Sequence, residues 1–246
     1  MQSDSRSTSA VVTSDFVSGI ETATLRVATA SDVGFLSSSP IRDFEVARLP
    51  VGVTPELRTE LVRKTIHLLI ALTPSLALLT GIGFTLAVLG AGTLLYAYAE
   101  SLRLTGRQVA VISYITFIAA RDRDRGHFVL GPVTLGVGAM LALMLYPEPA
   151  AFIAIYALAF GDGLSSVVGK MAGGPRIPFT NGKTFTGSTA CFLAVYFVTF
   201  AMIGSPREAA MIAAGATLLE MIPTRDLDNL LLPIGVGLLA NQILGL

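Results

Sequence analysis

Ile155–Ser188 reads IYALAFGDGLSSVVGKMAGGPRIPFTNGKTFTGS. One acid, Asp162, sits well inside an apolar run. A loop rich in glycine and carrying Arg176 and Lys183 follows, and a second apolar run opens after Lys183. A carboxylate inside a membrane-length helix is expensive, and such a residue is read first as part of a functional site. Glycines beside a lysine supply backbone N–H groups and positive charge, which is what a phosphate requires. The rest of the chain is read outward from this pairing of an intramembrane acid with a basic loop.

The 246 residues are 52% apolar and 14% charged, with a mean hydropathy of +0.69. A soluble domain carries about 25% charged residues. Because the apolar residues come in several separated blocks, the chain is expected to be all-α: a polytopic membrane helix bundle of about seven transmembrane helices behind a polar N-terminal tail. With no tryptophan, interfacial aromatic anchoring falls to the tyrosines. A single cysteine, Cys191, excludes an intramolecular disulfide and a multi-cysteine metal site.

Two regions are expected, 1–53 and 54–246. The first is rich in Ser and Thr, has scattered charges of both signs and no apolar run of signal-peptide type, and reads as a disordered tail. Short alternating pieces within it, Thr24–Thr29 and Asp43–Leu49, have the pattern of strands. Its acids, Asp4 to Glu45, do not suit an organellar transit peptide. Thr54-Pro55-Glu56 then reads as a helix start, with a Thr cap and Pro at the first helical position. That first helix is expected to run on through Leu79. Further spans are expected at 83–99, 128–146, 148–171, 185–203 and 209–222, with a last helix from the Asp226-Leu-Asp-Asn229 segment to the C-terminus. Val109–Ala120 is too short to span and reads as interfacial or re-entrant.

In that arrangement Arg58, Arg63, Lys64, Arg103, Arg107, Arg121, Arg123, Arg125, Lys170, Arg176, Lys183 and Arg225 fall on one face, against Arg207 alone on the other. The loaded face, with the N-terminus, is therefore expected to be cytoplasmic. Arg63, Lys64, His67, Asp162, Lys183, Glu220, Asp228 and Asn229 all lie within about three turns of that face.

Glu60, Arg63, Lys64 and His67 share one helical face, at i, i+3, i+4 and i+7. Asp162, Ser165, Ser166 and Gly169 make a second stripe. Close helix packing explains its small residues but not the acid. The loop ending Gly182-Lys183-Thr184 is not a Walker A loop: Ile177 stands where that motif needs its first glycine, and no strand precedes it. It remains a generic phosphate-binding loop, with Lys183 as a point charge near a helix N-terminus. Glu220 is a second acid inside an apolar helix. Asp226, Asp228 and Asn229 suit a helix cap, yet capping uses one of them. Several carboxylates on one membrane face suit Mg²⁺, a hard ion held by carboxylates together with substrate phosphates.

Taken together, Arg63-Lys64-x-x-His67, Gly161-Asp162-Gly163 with Gly169, Gly182-Lys183-Thr-x-x-Gly187-Ser188, and Glu220 with Asp228-Asn229 resemble the CTP-dependent polyprenol kinase family, which includes dolichol kinase, phytol kinase and the CTP-dependent diacylglycerol kinase. The likeness covers about residues 56–246, with the motifs in the family's order; Thr186 stands before Gly187 where relatives often carry Glu. The resemblance implies transfer of the terminal phosphate of CTP to the hydroxyl of a membrane lipid alcohol, with a divalent cation and no nucleic-acid partner. It implies Asp162, Lys183 and Asp228 as catalytic residues. Arg63, Lys64, His67, Gly182, Thr184, Gly187, Ser188 and Asn229 would bind nucleotide or phosphate, and Asp162, Glu220 and Asp228 would hold the metal. A phosphatidate cytidylyltransferase-like CDP-lipid synthase would use the same nucleotide, metal and face. A small-solute transporter would instead place charge near the midplane and repeat its halves, and neither feature is found here.

The charge asymmetry makes a topological prediction. An epitope inserted after Gly174 should be reached only from the cytoplasmic side, and one after Ser205 only from the opposite side. Labelling of both from one side excludes the seven-span arrangement.

Overall fold

A computed structural model describes residues 55–106, 127–180, 182–224 and 227–246, with side chains from Glu60 onward. The tail and its two strand-like pieces, the Thr54 cap, the Val109–Ala120 helix, Arg107, Arg121, Arg123, Arg125, Arg225 and Asp226 lie outside the described residues. The described elements are α1 (Pro55–Leu69), α2 (Leu72–Thr80), α3 (Ile82–Leu104), α4 (Gly131–Leu145), α5 (Ala150–Tyr156), a π-helical turn (Ala157–Asp162), α6 (Gly163–Ala172), α7 (Phe185–Ile203), α8 (Pro206–Met221) and α9 (Asp228–Leu244). Among the described residues no strand forms; a single isolated bridge joins Arg176 and Thr184.

Among the described residues the fold is all-helical, and its apolar helices mark an integral membrane protein. Four runs are long and apolar enough to cross a bilayer: Glu60–Thr80, Ile82–Leu104, Ala150–Ala172 and Phe185–Ile203. Gly131–Leu145 and Asp228–Leu244 are apolar but shorter, and α8 has 16 residues. Among the described residues four helices therefore meet the length and apolarity of a span, and the expected count of about seven is not confirmed.

The first helix does not run unbroken to Leu79. It stops at Leu69 and restarts at Leu72, because Pro74 has no N–H to give the carbonyl of Ile70 and its ring crowds that carbonyl. The Ile70 carbonyl takes the N–H of Thr73 at 3.0 Å instead, and Ile70 and Ala71 donate to His67 and Leu68 at 3.2 and 3.1 Å. A tight turn thus replaces the α-helical ladder just beyond His67.

Helices α5 and α6 and the π turn form the central rod. Two-thirds (67%) of its span is buried, against 11% for α3 and 28% for α7. Ala139, Ala142, Ala151, Ala154, Leu158 and Ala159 pack one side of it; Ala150, Ile153, Ala157, Val195, Ile212, Ala213 and Ala216 pack the other. Small residues let membrane helices approach closely enough for dispersion to hold them. Leu79, Leu94, Phe197 and Leu218 are turned outward and exposed, as a lipid-facing surface requires.

Two polar devices fix the periphery. Glu100, fully buried, accepts from Arg103 Nε and Nη2 at 2.8 and 2.7 Å and from the backbone N–H of Val129 at 2.9 Å. Arg103 also donates to the carbonyl of His127 at 2.9 Å. The end of α3 is thereby fastened to the approach of α4. On α9, Pro233 removes the donor that the Asn229 carbonyl would otherwise receive. That carbonyl lies against Gly138, where a Cβ would meet the Asn229 carbonyl carbon at 3.2 Å and Pro233 at 3.1 Å. Only a residue without a side chain fits between α4 and the kinked helix.

Gly138→Val should therefore lower the thermal stability of the purified protein by about 1–3 kcal/mol, the usual cost of overpacking. An unchanged unfolding midpoint would show that α4 and α9 can part freely.

Candidate functional site

The site begins with two helices running side by side. Glu60, Lys64 and His67 lie on one face of α1, each no more than 3% exposed. They meet the π turn and α6 in antiparallel order. Lys64 donates to Asp162 Oδ2. His67 Nδ1 lies 3.2 Å from the same oxygen without hydrogen-bond geometry. At the far end of α6, Lys170 Nζ donates to Glu60 Oε2 at 2.7 Å. Glu60 Oε1 takes Arg63 Nη2 at 2.6 Å. The signs alternate along the contact, so sliding α1 one way would bring Lys64 toward Lys170, and sliding it the other way would bring Glu60 toward Asp162. Register is set by charge here as well as by packing.

Asp162 ends the π turn, whose extra residue per turn widens the helix, a local distortion frequent at functional sites. Gly161, just before it, lets α7 close in: a Cβ there would meet Val195 at 3.1 Å and Cys191 Sγ at 3.3 Å.

A second cluster adjoins the first. Lys183 donates to the backbone carbonyl of Glu220 and, at 2.7 Å, to its Oε1. Ser165 Oγ stands 3.1 Å from both Glu220 Oε1 and the Asp162 carbonyl, linking the two acid-bearing segments. Glu220 is buried, and its Oε2 has no hydrogen-bond partner. Ser188 Oγ is likewise buried and unpartnered.

The loop between α6 and α7 is closed by its own backbone. Ile177 N–H donates to the Lys183 carbonyl at 2.8 Å and Phe185 N–H to the Pro175 carbonyl at 3.1 Å. Gly182 has φ +89°, a value that favours glycine, and it delivers Lys183 to the mouth of the site. Thr184 caps α7: its Oγ1 accepts the Gly187 N–H at 3.2 Å. Gly187 faces α6, where a Cβ would meet the Ser165 carbonyl at 2.6 Å. Thr184 and Gly187, expected as phosphate contacts, thus have clear packing and capping duties.

Asp228 starts α9 without serving as its cap residue and accepts the N–H of Asn229 at 3.0 Å. It is within electrostatic reach of Asp162, Lys64 and Arg63. Asn229, also expected as a nucleotide contact, spends its side-chain amide on the Gly131 carbonyl at 3.1 Å and Thr134 Oγ1 at 2.9 Å. It joins α9 to α4.

Asp162, Lys64, His67, Arg63, Asp228, Ser165, Glu220 and Lys183 are therefore brought together from five stretches of chain. The side chains differ in access. Lys64 and His67 are buried, whereas the side chains of Arg63 and Lys183 are 21% and 26% exposed. Of these four basic side chains, Arg63 and Lys183 are the ones open to solvent. The partners given no site role from sequence are Glu60, Lys170 and Ser165. Glu60 was visible on the shared face of α1, but nothing in the sequence shows which cation lies opposite it.

Among the described residues no three His, Cys, Asp or Glu side chains are grouped as a metal cage. A Mg²⁺ ion carried on a nucleotide does not need one, since one or two carboxylates and the substrate phosphates suffice. The unpartnered Glu220 Oε2 and the lightly engaged Asp228 fit that requirement.

Removing Lys64 leaves a buried carboxylate unpaired. Lys64→Met should destabilise the protein by about 3–5 kcal/mol, and Lys64→Met with Asp162→Asn should recover most of that loss in the same thermal assay. Simple additivity of the two changes would show that the ion pair is not coupled.

No family model matches the chain, and no solved structure matches it. Curated proteins do. Phytol kinase 1, chloroplastic, of Arabidopsis thaliana is 22% identical over 207 residues, covering 77% of this chain and 68% of the relative. Farnesol kinase, chloroplastic, of Arabidopsis thaliana is 30% identical over 126 residues, 45% of this chain and 41% of the relative. The probable phytol kinase, chloroplastic, of Triticum aestivum is 22% identical over 143 residues, 51% of this chain and 48% of the relative. The chain thus matches about half the length of several of these proteins. Its relatives are phytol kinases and a farnesol kinase, members of the polyprenol kinase family that its motif set resembles.

Proposed function

We propose that this protein is a membrane lipid kinase that transfers the terminal phosphate of CTP to the hydroxyl of a polyprenol or phytol-like alcohol. The observation that carries this is the convergence of Asp162, Lys183, Glu220, Asp228, Arg63 and Lys64 around one site in a membrane helix bundle. A water-borne triphosphate needs cations and an acceptor carboxylate, and a lipid alcohol needs that chemistry at the edge of the bilayer. The kinship with phytol and farnesol kinases points to isoprenoid alcohols ahead of diacylglycerol.

Phosphoryl transfer asks for positioning and charge neutralisation rather than covalent chemistry. Arg63 and Lys183, the exposed bases, meet the phosphates. A Mg²⁺ ion bound with the nucleotide supplies charge neutralisation, and Glu220 and Asp228, with Asp162 nearby, are the residues to hold it. Asp162 accepts the alcohol proton. Its Oδ2 is engaged by Lys64, so this ammonium must turn toward the nucleotide before the carboxylate can act. Lys64 thereby serves both states: it neutralises Asp162 when the site is empty and the phosphates when it is filled. The site lies on the cytoplasmic face if the charge bias of the connections sets the orientation.

The test is to supply the purified protein with CTP or ATP and a panel of lipid alcohols and to identify the products. CDP with a phosphorylated isoprenoid is expected, whereas release of pyrophosphate would identify a cytidylyltransferase. Asp162→Asn and Lys183→Ala should each reduce transfer at least about a hundredfold, the scale of losing a general base or a charge-stabilising donor. Membrane insertion should be kept. Full activity in either variant removes that residue from its role.

A further inference from the structure

Among the described acids buried near Asp162, Glu60 has no part in the chemistry set out above. Its two oxygens are divided between two cations. Oε1 takes Arg63 Nη2 at 2.6 Å, and Oε2 takes Lys170 Nζ at 2.7 Å. Lys170 is 46% exposed, and its role is to tie the end of α6 to α1. Arg63 is different. Its charge lies within electrostatic reach of Asp162 and Asp228 as well as Glu60, so three carboxylates compete for one guanidinium. An arginine so placed goes to whichever acid offers the best hydrogen-bond geometry, and the number of its nitrogens that acid takes decides what is left for another partner.

The geometry decides that competition. Glu60 is one turn before Arg63 on the same helix, where i and i+3 side chains meet. It takes the guanidinium through Nη2, while Nε is buried without a hydrogen-bond partner. Were Arg63 to swing onto Asp162 or Asp228, it would neutralise the acids that the proposed reaction uses.

We propose that Glu60 is a positioning residue for the nucleotide: it anchors Arg63 by one nitrogen, presents the rest of the guanidinium to the phosphates, and keeps it off Asp162 and Asp228. This rests on the kinase assignment above. Lys170 holds the second oxygen of Glu60 and contributes to helix register, not to nucleotide affinity.

The test uses the full chain in lipid nanodiscs. Mg²⁺–CTP affinity is measured by equilibrium binding, KM for nucleotide and for alcohol by turnover, and Tm by thermal unfolding. Glu60→Gln should weaken nucleotide affinity and raise the nucleotide KM about tenfold, the order expected for a lost charge-assisted contact. The alcohol KM should stay within about twofold. Glu60→Asp should restore much of the affinity, and in an Arg63→Lys background Glu60→Gln should add little further loss. Lys170→Met should lower Tm and leave the nucleotide KM in place. If Glu60→Gln does not accumulate in the membrane, Glu60→Asp and the Arg63→Lys background carry the test. A Glu60 variant that lowers Tm with nucleotide affinity unchanged, or that shifts both KM values in parallel, overturns the proposal while leaving the kinase assignment standing. Wild-type protein that neither binds nor consumes a nucleotide overturns both.

Discussion

The contact on which the rest depends is the buried ion pair between Lys64 on α1 and Asp162 at the end of the π turn. Neither charge could enter an apolar bundle alone. A single unpaired charge there costs several kcal/mol, and a paired one is tolerated only when the geometry is good. The pair therefore obliges α1 to pack against the central rod in one register. Glu60 with Lys170 reinforces that register from the other end of α6. What looks like an energetic burden is the device that brings the polar side chains of α1 to the site.

From that contact the remaining parts follow in order. Asp162 fixes the start of α6, and Ser165, one turn on, reaches Glu220 at the end of α8. Glu220 receives Lys183, so the loop before α7 is held against the same place. The glycines on α6 and α7 let these two helices approach until Gly187 faces the Ser165 carbonyl. Five segments far apart in sequence thus share one network. Its inner cation is sealed in, while Arg63 and Lys183 stay reachable. That division suits a ligand that brings its own negative charge.

The order of helices was legible in the sequence. Runs of apolar residues bounded by Pro, Gly and charge place 185–203 at its observed limits and put the expected 148–171 and 209–222 close to the observed 150–172 and 206–221, whereas the expected 83–99 stops short of the observed end at Leu104. The intramembrane acids were legible for the same reason: burying a carboxylate in an apolar helix is costly enough to stand out in composition alone. The break at Ile70-Ala71 was missed by the expectation of one helix through Leu79, although its signal, Pro74, whose missing N–H acts one turn upstream, stands in the sequence. Less visible was the π turn over 157–162, because one extra residue per turn leaves no mark in a hydrophobic pattern.

By itself, then, the sequence determined that this is a helical membrane protein with acids and bases concentrated at certain helix ends, because transfer free energies act residue by residue. Only the tertiary structure decided who partners whom. It gave Asp162 to Lys64, Glu220 to Lys183 and Ser165, and Glu60 to Arg63 and Lys170, and it turned Asn229 to α4 and Thr184 to the cap of α7. Pairing across 98 or 110 residues depends on helix register and crossing geometry, which arise from the packing of the whole bundle and leave no local pattern to read.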